Sequence, residues 1–313
     1  MSCLERAIEL AERGRGTTWP NPVVGAVVVV GDEIIGEGWH ERKGGPHAEV
    51  VALDAAGEAA RGGTVFVTME PCAHHGRTPP CVDRIVAAGV ARVVAGCADP
   101  NPRAEGGAQR LRAAGVDVEL LDLPEARRQN EAWRTWVALG RPYVILKLAS
   151  TVDGRVAVPG RRWVTGGESR RRVHELRAAV DAVAVGMGTV REDAPRLDAR
   201  EVPVVRQPRR LAFGRGPLPE GSELELRTGP LAEELAALAA EGVQSLLLEG
   251  GPTLATAFLA DGVVDRLLVF VAPVVAGDGP PLIGPLPEPL DLGEPELERV
   301  GADVLLGWRL REA

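Results

Sequence analysis

His47, Ala48 and Glu49, followed by Cys72 after Pro71 and by Cys81, are the residues whose types and spacing specify a chemistry. One imidazole and two thiolates fill three positions of a tetrahedral zinc ion and leave the fourth to water. Such an ion lowers the pKa of its water towards ~7. A carboxylate two residues from the histidine can carry a proton from that water to a leaving group without being a ligand itself. The chemistry is hydrolytic, and on an aminopyrimidine ring it ends in loss of ammonia from the amine-bearing carbon. Glu49 is therefore the candidate catalytic residue, and His47, Cys72 and Cys81 are the candidate metal ligands. Neither half is specific alone: an H-x-E triplet arises by chance, and spaced cysteines serve as small core residues. Their combination in this order carries the reading. Cys3 and Cys97 have no comparable setting and are expected to be unpaired, structural cysteines.

The elements that must position these groups alternate. Apolar Leu4, Ala7, Ile8 and Ala11 predict a helix over 3–13, and apolar runs predict strands over 23–30 and 34–39 around the Gly31-Asp32 turn. The order continues as helix 48–61, with Pro46 just ahead of it and His47 at its start, strand 64–68, the cysteine loop, helix 80–88, strand 91–96, helix 105–114 and strand 116–120. Ala-Gly-Val steps at 88–90 and 114–116 stop a helix at glycine and start a strand. This frequency of helices implies a mixed sheet covered on both faces. A helix over 123–139, bearing Trp133 and Trp136, leads into Gly140-Arg141-Pro142, where a domain boundary is expected: residues 1–142 form one domain and 143–313 another. The second begins with a strand at 143–148 and continues with strands at 180–185, 245–248 and 267–271 separated by helices at 167–178, 230–240 and 253–260. Both halves read as α/β.

Bulk properties set limits. A chain of 313 residues is long enough for two cores. Four cysteines, two assigned to metal, leave no disulfide framework. No apolar run reaches ~20 residues and the N-terminus is charged early, so a cytoplasmic protein without a membrane span is expected. A net charge of -8 argues against a broad nucleic-acid surface. The Gly-, Ala-, Pro- and Arg-rich composition suits a heat-tolerant protein and is equally what high genomic G+C content produces.

Four stretches then make a specific resemblance. Asn21-Pro22-Val23-Val24-Gly25, His47-Ala48-Glu49, Glu70 through Cys81 with its His74-His75-Gly76-Arg77-Thr78-Pro79-Pro80 insertion, and Asp99-Pro100-Asn101-Pro102 resemble the deaminase half of the bifunctional riboflavin-biosynthesis deaminase/reductases. Generic cytidine and transfer-RNA adenosine deaminases place only two residues between their cysteines, so the long insertion is the discriminating feature. The resemblance implies a cytidine-deaminase-like three-layer domain. It also implies a phosphoribosylated diaminopyrimidinone substrate, with Asn21 at the sugar or base edge and His74 and His75 near the pocket.

Past the boundary, Lys147-Leu148-Ala149-Ser150-Thr151-Val152-Asp153-Gly154-Arg155, Trp163-Val164-Thr165, His174 through Arg177, Gly186 through Val190 and Glu249 through Leu254 follow in the order of that family's reductase half. The resemblance thus spans almost the whole chain and implies a dihydrofolate-reductase-like α/β domain that uses NADPH. It places Ala149, Trp163, Thr189, Asp193 and Gly250, Gly251, Pro252, Thr253 and Leu254 on the cofactor side. Arg177, Leu197 and Arg200 fall at the substrate's phosphate, and Lys147 and Glu249 beside the substrate. A Gly-Gly turn between an apolar strand and a helix lets backbone amides approach a phosphate, although such turns also arise for steric reasons. The sequence departs from the family pattern at Ala73, usually serine, at Arg161, commonly serine, at Ala194, commonly a carboxylate or asparagine, and at Gly214-Arg215, commonly Asp-Ser. The stretch 201–240 is also short. Arg161 and Arg215 either meet phosphate directly or mark a weakened reductase.

The resemblance implies deamination followed by reduction of the ribosyl side chain, in a homo-oligomer, a dimer through the reductase domain. Two alternatives stay open: a monofunctional zinc deaminase with a degenerate second domain for ligand binding or dimerisation, and a zinc-stabilised interaction module, which Glu49 beside a complete ligand set argues against.

Overall fold

The computed structural model describes residues 2–75, 79–102, 104 and 106–311. The chain divides between Leu139 and Gly140 into two compact units. No helix among the described residues is long and apolar enough to cross a membrane.

The first unit contains α1 (Cys3–Glu12), β1 (Gly25–Val30), β2 (Glu33–Trp39), α2 (Ala48–Ala56) with a 3-10 turn at Gly57–Ala60, β3 (Thr64–Val67) and α3 (Cys81–Ala87). It continues with β4 (Arg92–Ala95), α4 (Gly107–Ala113), β5 (Asp117–Leu120), α5 (Pro124–Gln129) and α6 (Glu131–Leu139). Its sheet runs β2-β1-β3-β4-β5, with β1 antiparallel to both neighbours and β3, β4 and β5 parallel. The pleat sends Ala26 and Val28 to one face and Val27 and Val29 to the other. The first pair packs with α2, α3 and α4 through Leu53, Ile85 and Leu111, and the second packs with Leu10 of α1. Three layers result. Gly36 and Gly38 let α2 sit directly on β2, because a Cβ at either would lie 2.2 or 2.5 Å from the carbonyl oxygens of Ala52 and Ala48.

The second unit contains β6 (Tyr143–Thr151), α7 (Gly167–Ala179), β7 (Ala182–Gly186), α8 (Met187–Asp193), β8 (Arg209–Phe213), β9 (Glu225–Arg227) and α9 (Leu231–Ala240). It continues with β10 (Ser245–Leu248), α10 (Pro252–Ala260), β11 (Arg266–Ala272), β12 (Glu296–Val300) and β13 (Asp303–Arg309). Its sheet order is β12-β13-β11-β6-β10-β7-β8-β9. The strands from β11 to β9 run parallel, and β13 and β12 close the other edge antiparallel. α9 and α10 cover one face through Leu235, Leu238 and Phe258. α7 and α8 cover the other through Leu176, Met187 and Val190.

The structure departs from the sequence expectations in informative places. The helix expected over 123–139 is two helices, because Asn130 leaves helical geometry at φ -121°, ψ 25°. Its buried carboxamide accepts from the Val23 N–H at 2.9 Å and donates to the Val23 carbonyl at 2.8 Å. That clamp occupies both backbone groups of Val23, and the first strand begins at Gly25 rather than at 23. α8, β9, β12 and β13 were not anticipated. The short stretch 201–240 nonetheless supplies β8, β9 and α9. The helix expected from 105 runs from Gly107, and Glu105 lies outside the described residues.

Asn130→Ala is expected to destabilise the protein by about 2–3 kcal/mol, since it leaves two buried backbone groups without partners. Chemical denaturation of the purified protein measures this, and a loss below about 0.5 kcal/mol would mean that water replaces the clamp.

Candidate functional site

α2 starts at His47, which sits at its N-cap with φ -74° and ψ 160°, so the imidazole leaves the helix end while Glu49 occupies the first turn. A carboxylate there is favoured by the helix dipole. The loop after β3 brings in Cys72, and Cys81 opens α3. His47 Nδ1 lies 3.1 Å from Cys81 Sγ and 3.6 Å from Cys72 Sγ, and the three donor atoms all fall within 4.8 Å of one another. A tetrahedral zinc ion with bonds of about 2.0–2.3 Å separates its ligand atoms by roughly 3.5 Å. The donor set and its spacing fit that metal. Cys81 N–H donates to Cys72 Sγ at 3.4 Å. Hydrogen bonding from Cys81, reinforced by His47, holds the Cys72 thiol below its usual range. Such a thiol is readily the thiolate that a metal needs.

Glu49 is 3 % exposed. Burial pushes its carboxyl above the usual carboxylate range, against the pull of His47. A carboxyl shifted in this direction holds a proton more readily than an exposed one, which suits a general acid and base. It opens, with the candidate ligands His47 and Cys72, on a cavity of about 490 Å³ lined also by Asn21, His40, Lys43, Glu70, His74, Asp99, Trp133 and Trp136.

Sequence reasoning passed over His40. Its Nδ1 lies 2.9 Å from the Pro46 carbonyl, which can only accept, so the proton belongs on Nδ1 and Nε2 accepts from the Asn21 amide at 3.2 Å. Burial lowers its pKa, consistent with that neutral form. Its ring also meets His47 edge-on, with centroids 5.4 Å apart. The signal was present in Trp39-His40-Glu41, a histidine closing a strand. Glu70 and Asp99 were read only as parts of family motifs. Glu70 accepts the Ala108 N–H at 2.8 Å, and Asp99, pushed up to about 6 by burial, accepts the Asn101 N–H at 2.8 Å. Of the expected pocket histidines, His74 lines the cavity with a buried Nδ1 that has no partner, whereas His75 is exposed and outside the lining. Gly76, Arg77 and Thr78 of the discriminating insertion lie outside the described residues. Cys97 is buried and unpaired.

In the second unit Lys147, Arg177 and Glu249 meet where β10 ends, and the carboxyl ends of parallel strands are where open α/β sheets bind ligands. Lys147 and Ala149 lie on β6, and Glu249 follows β10. Glu249 is held by a two-point pair with Arg177 of α7, at 2.6 and 3.0 Å, with Lys147 Nζ at 3.5 Å. Burial alone would raise the Glu249 pKa, but Lys147 and Arg177 hold it below the usual range. Gly186 and Gly251 are the N-caps of α8 and α10. A Cβ on Gly186 or Gly250 would sit 3.5 or 3.2 Å from Leu254 Cβ, and one on Gly251 would sit 3.5 Å from Thr189 Oγ1. Pro252 opens α10, Thr253 is exposed, and Asp193 closes α8. Trp163, 53 % exposed, has the guanidinium groups of Arg162 and Arg170 at 5.2 and 5.4 Å from its ring centre.

The trio expected at the phosphate looks different in three dimensions. Arg177 directs its fork at Glu249, Leu197 is 2 % exposed in the core, and Arg200 pairs with Asp198 at 2.8 Å. Leu197 can therefore offer a ligand only backbone. Ala194 takes φ 41° at the end of α8, a left-handed conformation that asparagine or aspartate tolerates better. Asp153 accepts from the Thr151 hydroxyl and from the Ala276 and Gly277 amides, so it staples a loop.

A histidine and two cysteines beside a buried glutamate on a three-layer sheet, followed by a helix-covered, largely parallel second sheet, define a deaminase-type metal domain joined to a reductase-like domain. Residues 1–97 match the cytidine and deoxycytidylate deaminase zinc-binding region, and residues 142–306 match the RibD C-terminal domain. The riboflavin biosynthesis protein RibD of Aquifex aeolicus is 39% identical, over 98% of this chain and 97% of its own length, and that of Escherichia coli is 39% identical over 97% of each. Among solved structures, RibD of Acinetobacter baumannii superposes with a TM-score of 0.86 at 36% identity, covering 98% of this chain and 97% of that one. A diaminohydroxyphosphoribosylaminopyrimidine deaminase/5-amino-6-(5-phosphoribosylamino)uracil reductase from Thermotoga maritima gives 0.85 at 35% identity with the same coverage. The chain belongs to the RibD family of riboflavin biosynthesis deaminase/reductases.

Cys81→Ser is expected to remove most bound metal and to lower the stability of the first unit, because a metal that binds only the folded state adds its binding free energy to folding. Metal content by atomic emission together with a melting curve checks this. Full metal retention in the variant would take Cys81 out of the ligand set.

Proposed function

We propose that the first half hydrolytically deaminates 2,5-diamino-6-(5-phosphoribosylamino)pyrimidin-4(3H)-one. The second half then reduces the ribosyl side chain of the product to ribityl with NADPH. The observation that carries the first step is Glu49, a buried carboxyl with a raised pKa, opening with His47 and Cys72 on a cavity of about 490 Å³. Zinc held by His47, Cys72 and Cys81 supplies Lewis-acid activation of water. Glu49 takes the proton that water loses as it adds to the amine-bearing carbon, and returns it to the amino nitrogen as the C–N bond breaks and ammonia leaves. Asn21, fixed through its NH2 group by neutral His40, turns its remaining polar capacity to the sugar or base edge. His74, with an unpartnered Nδ1, supplies a further polar contact.

For the second step, Ala149, Trp163, Thr189, Asp193 and the 250–254 turn are the cofactor cradle, and the small residues at the start of α10 let backbone amides approach a phosphate. NADPH, when bound, supplies hydride to the sugar's former anomeric carbon. Lys147 and Glu249 position the sugar, and Arg177 keeps Glu249 ionised and aimed. Arg200 and the Leu197 backbone face the substrate's phosphate side. Free, buried cysteines in the metal site suit the reducing cytoplasm. A homodimer through the second half is supported by Leu297, 70% exposed on the edge strand β12. Sedimentation as a monomer would remove that assignment.

The deciding experiment supplies the diaminopyrimidinone phosphate and follows ammonia release and NADPH oxidation separately. Normal ammonia release without oxidation of NADPH or NADH would leave a monofunctional deaminase. Glu49→Gln should keep the metal while turnover falls by at least about a hundredfold. A metal-loaded Glu49→Gln enzyme that deaminates normally would refute the proton-shuttle role. Arg177→Ala should leave ammonia release intact and lower NADPH oxidation by at least about tenfold, because it strips a buried carboxylate of its two-point partner. Equal loss of both activities would point instead to misfolding.

A further inference from the structure

Of the 36 basic residues in this chain only two, Lys43 and Lys147, are lysines. One stands in each half, and each stands at a candidate site. Lys147 flanks Glu249. Lys43 lines the deaminase cavity, where it is the only lysine or arginine among the described lining residues. The sequence reading gave Lys43 no role, because a single charged residue in a Gly-rich turn carries no motif.

The surroundings of Lys43 hold it ready for an anion. Its backbone N–H donates to the Thr17 carbonyl at 3.2 Å, and the next turn closes through Gly45 N–H to the Arg42 carbonyl at 3.0 Å. Thr17 ties back through its hydroxyl to the Gly14 and Glu41 carbonyls. Lys43 Nζ lies 5.7 Å from the centre of the Trp19 ring, and among the described residues no carboxylate pairs with it. An aromatic face steadies an ammonium while leaving its three N–H donors free. The amine-bearing carbon has to reach Glu49 beside the cysteine cluster, a part of the same cavity that Glu70 and Asp99 also line and that offers a phosphomonoester no lysine or arginine among the described lining residues. A substrate with a reactive ring at one end and a phosphate at the other therefore has one favourable orientation. Its phosphate goes to the exposed Lys43 rim.

We infer that Lys43 reads the terminal phosphate of the deaminase substrate, so that the first half selects a 5-phosphorylated sugar over its dephosphorylated counterpart. This rests on the deaminase reading above. An ammonium suits the place because it is compact and its donors rotate, whereas a guanidinium presents a larger planar fork.

The test is steady-state ammonia release by the full-length, zinc-loaded enzyme from the phosphoribosylaminopyrimidinone and from the same compound without phosphate. Wild type, Lys43→Met and Lys43→Arg are compared, and melting curves establish that all three fold. In Lys43→Met the KM for the phosphorylated compound should rise about tenfold or more, the typical worth of a charge-assisted contact. Its kcat should stay within about twofold, and the KM for the dephosphorylated compound should barely move. Lys43→Arg should recover most of the preference, and added salt should erode it in wild type more than in Lys43→Met. A folded Lys43→Met enzyme with wild-type preference, or one that loses kcat equally on both compounds, overturns the assignment and leaves the deaminase reading standing. A wild-type enzyme that releases ammonia from neither compound takes down both.

Discussion

The first half depends on one convergence, that of His47 Nδ1 with the sulfurs of Cys72 and Cys81. The three side chains come from separate pieces of chain, a helix start, a loop and a second helix start, and each is placed by packing that has no chemical role. Gly36 and Gly38 set the height of α2 above β2. That height places both the imidazole and the carboxylate of Glu49. The cluster is held by the sheet, and the sheet's glycines are as necessary to it as its ligands.

In the second half the ordering interaction is electrostatic. Glu249 is a buried carboxylate with a guanidinium on one side and an ammonium near the other. A charge in that position is tolerated only because the partners are there. The pair also joins α7 to the end of β10, so the polar centre and the frame are fixed by the same contact.

Much of this was legible in the sequence because it is periodic or local. The alternation of helices and strands in the first half, the His-x-Glu spacing and the helix start at His47 follow from short-range rules. What was not legible depends on distant partners. Asn130 breaks a helix because Val23, far away in sequence, has backbone groups to satisfy. β12 is missed because an exposed edge strand, Glu-Leu-Glu-Arg-Val, buries little and shows no apolar run. Arg177 is expected from the sequence at the substrate's phosphate, yet its orientation towards Glu249 rather than open solvent is a fact of packing. His40 and Lys43 carry no motif, and only the shape of the cavity shows that they border it.

Leu254 stands against both Gly186 and Gly250, at the ends of two different strands. The two glycines are not equivalent. A methyl group at Gly186 would stand 3.5 Å from Leu254 Cβ, an ordinary contact, whereas one at Gly250 would stand at 3.2 Å and press on the first turn of α10. Because every residue except glycine carries that Cβ, trimming Leu254 would not make room, and growth at position 250 has to be met by a shift of the helix itself.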